Sequence, residues 1–174
     1  MRSIVLFAAL FSMAPSICIA ELPKVGDASP QFEMQGSDGK MYQAKDFIGK
    51  QAVIIAWFPR AFTGGCTKEC KSMKESSELL NQYEVAYFTA STDPVEKNAE
   101  FAKSLDLEYP ILCDPNGKNA SMFGVLSSDG SKAARTTFII SKEGKILAVE
   151  SKVNTDSHGK DLAQQLEKLG VAKR

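Results

Sequence analysis

Residues 52–58 read AVIIAWF, an unbroken apolar run that constrains this chain more than any other stretch. A strand with one face in water alternates polar and apolar residues, whereas a continuous run rich in β-branched and aromatic side chains is covered on both faces. Seven residues are too few for a buried helix. The run is therefore a central strand, stopped by Pro59, and a sheet built around it needs a layer of structure on each side.

The surrounding sequence supplies those layers. Residues 31–35 and 40–43 flank the turn cluster Gly36-Ser37-Asp38-Gly39 and read as a β-hairpin. Residues 66–83 contain no Gly or Pro and place Met73, Leu79 and Leu80 among many polar residues, the pattern of an amphipathic helix. Residues 85–90 (VAYFTA) form a second core strand. Asp93-Pro94-Val95-Glu96 then combines an N-cap, a proline at the first helical position and a capping-box acid, opening a helix through Leu105. A short strand at 110–113, a short helix at 118–123, a hairpin of 136–141 with 145–151 and a closing helix at 157–169 complete the chain. Strands alternating with helices pair in parallel, and terminal hairpins give antiparallel edges. The expected fold class is α/β, with a mixed central β-sheet flanked by helices and an N-terminal β-hairpin.

The chain has 174 residues, of which 44% are hydrophobic and 24% charged, the usage of one globular domain. Its 21 basic residues are dispersed and matched by 21 acidic ones, which argues against a nucleic-acid partner. Residues 1–20 have a different character: Arg2 provides a positive start, residues 4–14 a compact apolar stretch, and Cys18-Ile19-Ala20 a small-x-small ending, the anatomy of a secretory signal. The apolar stretch meets Pro15 before reaching the roughly 18 residues of a membrane span, so no stable membrane anchor is expected. Cleavage after Ala20 is expected, leaving residues 21–174 as a single exported domain, periplasmic or secreted. Its lead-in, 21–30, is linker-like.

Cleavage would remove Cys18 and leave Cys66, Cys70 and Cys113. A small exported domain that uses cysteines as staples holds an even set; three imply a free or exchanging thiol, and so chemistry. Residues 59–66 (PRAFTGGC) join the central strand to the long helix. A cysteine in the first helical turn meets unsatisfied N–H groups and the positive end of the helix dipole, which favour its thiolate. Gly64 and Gly65 allow the backbone to turn tightly and approach a ligand closely. Thr63, three residues before the sulfur, can aim a hydroxyl at whatever the sulfur attacks, and Pro59 sets the exit of the strand.

Pro-x-x-x-Thr-x-x-Cys, here Pro59, Thr63 and Cys66 within AWFPRAFTGGCTKEC, resembles the peroxidatic signature of the peroxiredoxins, and the wider wording resembles their bacterioferritin-comigratory or Q-type subfamily. The likeness extends to SPQFEMQGSDGKMYQAKDFIGK, YPILCDPNGKNASMFGV and RTTFIIS, and so to nearly all of the chain after residue 20. The resemblance implies a thioredoxin-like fold and thiol-dependent reduction of hydrogen peroxide or organic hydroperoxides, by a monomer or homodimer without metal or organic cofactor. It implies that Cys66 is the nucleophile, passing through a sulfenic acid, that Thr63, Arg135 and the backbone N–H groups near Gly65 and Cys66 hold the peroxide, and that Pro59 completes the catalytic motif and helps keep water out. A thioredoxin-like or other dithiol reductant would reset the enzyme. Q-type proteins that close a disulfide within this helix usually place the resolving cysteine five residues after the peroxidatic one, whereas Cys70 follows Cys66 by four. That spacing shares one helix face with Cβ atoms ~5–6 Å apart, and a disulfide wants roughly 3.5–4.5 Å, so partial unwinding of the first turn would close the gap. Cys113 is the alternative resolving thiol, or a buried small hydrophobe.

A second reading is a copper carrier of the Sco type, which also uses Cys-x-x-x-Cys with a distant histidine; the set would be Cys66, Cys70 and His158. Copper does not account for Pro59, Thr63 and Arg135 together. His158 follows Asp156-Ser157 at a helix start, where a solvated imidazole is the ordinary expectation. A general thiol–disulfide oxidoreductase would normally carry Cys-x-x-Cys, which is absent.

Overall fold

A computed structural model describes residues 21–174; the expected signal segment lies outside the described residues. The central strand expected from the apolar run is β3 (Ala52–Trp57), every residue of which is buried. It lies inside a seven-stranded sheet with β1 (Glu33–Gly36), β2 (Met41–Gln43), β4 (Val85–Ser91), β5 (Ile111–Cys113), β6 (Thr136–Ile140) and β7 (Ile146–Glu150), in the spatial order β2-β1-β5-β4-β3-β6-β7. β3 pairs in parallel with β4, and β4 with β5, while β6 runs antiparallel beside β3 and β7 beside β6. The β1–β2 hairpin caps the other edge antiparallel to β5. The sheet is mixed as expected, with parallel pairing confined to the middle.

Strand alternation sorts the core into two layers. Val53, Ile55 and Trp57 point to one face with Phe88, Leu112 and Phe138, where Phe32, Phe47 and Phe123 cover them. Ala52, Ile54 and Ala56 point to the other, against Met73, Leu80, Leu162 and Leu166 from α1 (Gly64–Glu75), α2 (Ser77–Leu80) and α5 (His158–Lys168). Phe101 of α3 (Val95–Ser104) packs on Phe58 and Ile111 beside them. The short α4 (Lys118–Met122) lies with the first layer through Ala120. Trp57 pairs with Thr136, so alternation sends Thr137, and Arg135 just ahead of the strand, to the face where α1 and α5 lie.

Three details depart from the sequence reading. The helix expected over 66–83 is two, interrupted at Ser76, which is buried against the start of α5. The lead-in at 21–30 is stitched to the β6–β7 end of the sheet, where Ala28 bridges Lys145 and the Gly26 N–H donates to the Ile146 carbonyl at 2.9 Å. Asp93 does not cap α3: Pro94 occupies the N-cap, and the Asp93 carboxylate crosses instead to the loop after β3.

Gly159 sets how closely α5 meets α1. A Cβ there would stand 2.4 Å from the Ser72 carbonyl oxygen and 2.6 Å from Ser76 Cβ, and the Gly159 N–H donates to Ser72 Oγ at 3.2 Å. Because the nearest atom is helical backbone, it has little room to yield. Gly159→Ala is expected to lower stability by about 1–3 kcal/mol, the range of overpacking changes, despite the better helix propensity of alanine. Urea unfolding measures it; an unchanged midpoint would show that α5 shifts freely.

Candidate active site

The loop after β3 delivers the chain to α1 with Thr63 in extended conformation at its N-cap. Thr67 is the residue whose N–H returns to the Thr63 carbonyl, at 2.9 Å, so the amides of Gly64, Gly65 and Cys66 have no helical partner and mark the start of the helix as an anion-favouring end. Cys66 sits in this turn, 1% exposed. Arg135, reaching across from β6, donates from Nη2 to Cys66 Sγ at 3.2 Å. A Cβ on Gly65 would come within 3.3 Å of that same Nη2, so glycine leaves the space the guanidinium uses. Gly64 has open space around it, and neither glycine has a positive φ. The tight turn expected of the glycines is made instead by Phe62, in the left-handed region at φ 64°, with its ring 4.9 Å from that of Phe101.

Glu69, one turn further along α1, is fully buried. Its Oε2 accepts from Arg135 Nη1, and its Oε1 lies 3.2 Å from His158 Nδ1. His158 Nε2 is 3.1 Å from Thr137 Oγ1. The histidine is 2% exposed, which corrects the expectation of a solvated imidazole. Burial works against the charge on Arg135, but the Glu69 carboxylate and the Cys66 sulfur outweigh it and hold the guanidinium more firmly protonated than usual.

The loop itself is tied by Asp93, which is buried and accepts the Ala61 N–H at 2.7 Å, while Lys97 reaches its other oxygen. Thr63 is exposed and donates its hydroxyl to the Arg60 carbonyl at 2.9 Å. Pro59 is half-buried where the strand ends. Pro59, Thr63, Gly65 and Cys66 thus share one loop and helix start, and the sheet brings Arg135 to them. The structure adds Glu69 and Asp93, and it gives His158, expected only as a copper ligand, a place between Glu69 and Thr137. The capping-box motif disguised Asp93, and a glutamate among the polar residues of an amphipathic helix gave no signal of burial.

A family model described as the AhpC/TSA family matches residues 25–149. The chain belongs to that family. Among its relatives, peroxiredoxin Bcp of Escherichia coli K12 is 30% identical over 141 residues, covering 78% of this chain and 90% of that one. Peroxiredoxin Bcp of Bacillus subtilis 168 is 28% identical over 152 residues, covering 84% and 96%. Of solved structures, the peroxidoxin BcpB of Mycobacterium tuberculosis superposes with a TM-score of 0.77 at 31% identity, covering 84% of this chain and 97% of that one. A variant of Xylella fastidiosa PrxQ gives 0.79 at 16% identity, a likeness of fold alone. The thioredoxin-like fold expected from the resemblance is therefore found.

In this peroxiredoxin the remaining cysteines are held differently. Cys70 is fully buried and shares one apolar cluster with Cys66, Phe58, Ala61, Phe101 and Ile111. Tyr109 donates its hydroxyl to the Cys70 carbonyl at 2.9 Å. Cys113 ends β5, two strands from β3, where its thiol accepts from Asn98 Nδ2 at 3.3 Å and donates to the Ile111 carbonyl at 3.4 Å. The copper reading finds no support: His158 is engaged by Thr137 and Glu69, and the described residues contain no group of three His, Cys, Asp or Glu able to hold a metal.

Burial, with the Glu69 charge beside it, pushes the Cys70 thiol up to about 12, and burial pushes Cys113 up to about 11. Unfolded, both would ionise near the ordinary value of 9.0. Stability linked to these protonated thiols is complete below about pH 9 and is lost as pH rises through about 11 and about 12, because the unfolded chain releases protons the folded one keeps. The fully reduced protein should therefore lose urea stability above about pH 9, and Cys70→Ala should make that decline shallower by up to about 1.4 kcal/mol per pH unit. Parallel declines would remove Cys70 from the account.

Proposed function

We propose that the protein is a thiol-dependent peroxidase that reduces hydroperoxides through Cys66. The observation that carries the reading is the Arg135 guanidinium on the Cys66 sulfur at the open end of α1. A fixed cation and free helix N–H groups favour the thiolate and remain in place as negative charge moves onto an oxygen leaving group. The thiolate attacks one peroxide oxygen, the O–O bond breaks, and the departing oxygen takes a proton, giving Cys66 sulfenic acid and water or an alcohol. The Thr63 hydroxyl hydrogen is committed to Arg60, so its oxygen is left as an acceptor for the peroxide O–H. Arg135 serves the approaching oxygens with the rigid fork that lysine lacks.

Cys70 is the resolving thiol in this reading, favoured over Cys113 by the cluster it shares with Cys66. Its sulfur attacks the sulfenic sulfur, expels water and forms a disulfide, once the turn between the two cysteines opens. A dithiol reductant of thioredoxin type then takes over the disulfide. Residues 1–20 direct export in this proposal, so the reductant works in the periplasm or outside the cell.

Reduced protein mixed with one equivalent of peroxide should show a Cys66–Cys70 bond on peptide mapping, and Cys66→Ser should consume no peroxide while melting like the native protein. Turnover by Cys66→Ser would sink the enzyme assignment, and a Cys66–Cys113 bond would transfer the resolving role. The same mapping on protein from a secreting host should begin at Glu21; an intact Met1 would remove export.

A further inference from the structure

Resting on Cys66 as the nucleophile, the geometry points to His158 as a positioning residue that balances the charge of the site by taking up a proton when Cys66 loses one. The described cluster contains Cys66, Arg135, Glu69 and His158 in contact order, from Sγ to Nη2 at 3.2 Å, across the guanidinium to the carboxylate, and from Oε1 to Nδ1 at 3.2 Å. With a neutral thiol and a neutral imidazole the cluster has no net charge, since Arg135 and Glu69 cancel. When Cys66 ionises, one guanidinium faces two anions and the buried cluster carries an excess negative charge. An imidazolium at His158 cancels that excess. Uncompensated charge is costly where water is excluded, and Glu69 and His158 are both almost completely buried.

The surroundings of His158 suit both of its protonation states. Nδ1 faces a carboxylate oxygen, which only accepts, so that nitrogen carries a hydrogen whichever state is present. Nε2 faces the Thr137 hydroxyl, which donates to a bare nitrogen or accepts from a protonated one. Gaining a proton at Nε2 therefore reverses a hydrogen bond instead of breaking it. The pairing with Glu69 is off line, leaving Oε1 and Nδ1 without a hydrogen-bond partner, so added positive charge on the ring has an unsatisfied buried acceptor to draw it in. The other charged groups around the ring are Arg135 beyond the carboxylate, Glu150 opposite Thr137 on β7, which accepts the Lys152 N–H at 2.7 Å, Asp156 paired at the surface with Lys68, Asp161 held by Ser157, and exposed Lys160. None of these is an alternative partner for Nε2 among the described contacts. Gly159, by letting α5 close on α1, brings the imidazole to this position.

The proton balance is simple. The Cys66 S–H releases its proton to solvent, Nε2 takes one from solvent, and the cluster stays neutral while the sulfur becomes nucleophilic. His158 touches neither sulfur nor peroxide, so its effect is on how much thiolate exists near neutral pH.

The test separates proton uptake from hydrogen bonding. His158→Gln keeps an amide donor for Glu69 but cannot titrate, and Thr137→Val keeps the shape of a strand residue while removing the reversible partner. Thiolate absorbance at ~240 nm is read against pH on the full reduced protein, where Cys70 and Cys113, pushed up to about 12 and about 11, are silent below about pH 9. At about pH 7 the thiolate signal of His158→Gln is expected to fall roughly fivefold to tenfold and to rejoin the native curve by about pH 9, with Thr137→Val shifted the same way by less. Peroxide consumption by stopped flow should follow the same pattern. Native and His158→Gln absorbance curves that superimpose would overturn the proposal, as would a Gln loss that persists undiminished at high pH, which marks a packing role. Should His158→Gln melt early, the Thr137→Val curve decides alone, and its coincidence with the native one overturns the proposal. Native protein that shows the thiolate yet consumes no peroxide would instead sink the peroxidase reading, leaving the absorbance result on His158 to stand by itself.

Discussion

A carboxylate with no exposure to water, Glu69, organises the site. Moving such a charge out of water costs several kcal/mol, and it is offset here chiefly by Arg135 from the edge of β6 on one oxygen, while His158 from α5 approaches the other without a hydrogen bond. Three segments separated by up to 89 positions of sequence are thereby held in one arrangement. Replacing such a cluster with well-packed apolar residues often leaves a fold as stable, but removing one member of a buried ion pair typically costs about 3–5 kcal/mol because a buried charge is stranded. Its contribution is therefore one of placement. The carboxylate orients the guanidinium through Nη1, and Nη2 is left for the sulfur.

The same helix shows how position decides reactivity. Cys66 and Cys70 face the same apolar cluster and are both buried. Cys66 has a cation and the free amides of the helix start beside it, whereas Cys70 has the Tyr109 hydroxyl on its carbonyl and a carboxylate at the preceding residue. One sulfur sits beside positive charge and the other is kept as thiol, although a single turn separates them. A sulfur that stays protonated while folded does not compete for peroxide, which suits the resolving role proposed for Cys70.

Much of this was legible in the sequence. The AVIIAWF run located the middle of the sheet, and the hairpins and alternating elements gave its edges, because burial on two faces leaves an unmistakable composition. Pro59, Thr63, Gly65 and Cys66 were readable because they are neighbours; Arg135 came only through the family resemblance, and the β3–β6 pairing explains how it arrives. Glu69 and Asp93 were not. A buried charge in a polar-looking helix is revealed only by its partners, and Arg135 and His158 lie 66 and 89 positions further along the chain. Asp93 stands before Pro94 in a convincing capping motif, yet the buried Ala61 amide is a more demanding partner than a solvated helix end. His158 looked solvated because Gly159, which lets α1 come so close, is invisible as a packing device until the helix it meets is known.

Because Glu69 lies between the two sulfurs, the proposed Cys66–Cys70 bond cannot form without disturbing the segment that carries the carboxylate. In that proposed cycle, closing the disulfide would pull on the same ionic contacts that hold Arg135 to Cys66, so the oxidised molecule would lack the assembled site with which to meet a second peroxide. Reassembly is local: a helical turn regrows at about a nanosecond per residue, against enzyme turnover that is commonly near 10 per second. Rewinding is thus on the order of ten million times too fast to be felt in such a cycle. In that cycle the pace of recovery would belong to the encounter with the reductant, and the site would be whole again almost as soon as the disulfide is cut.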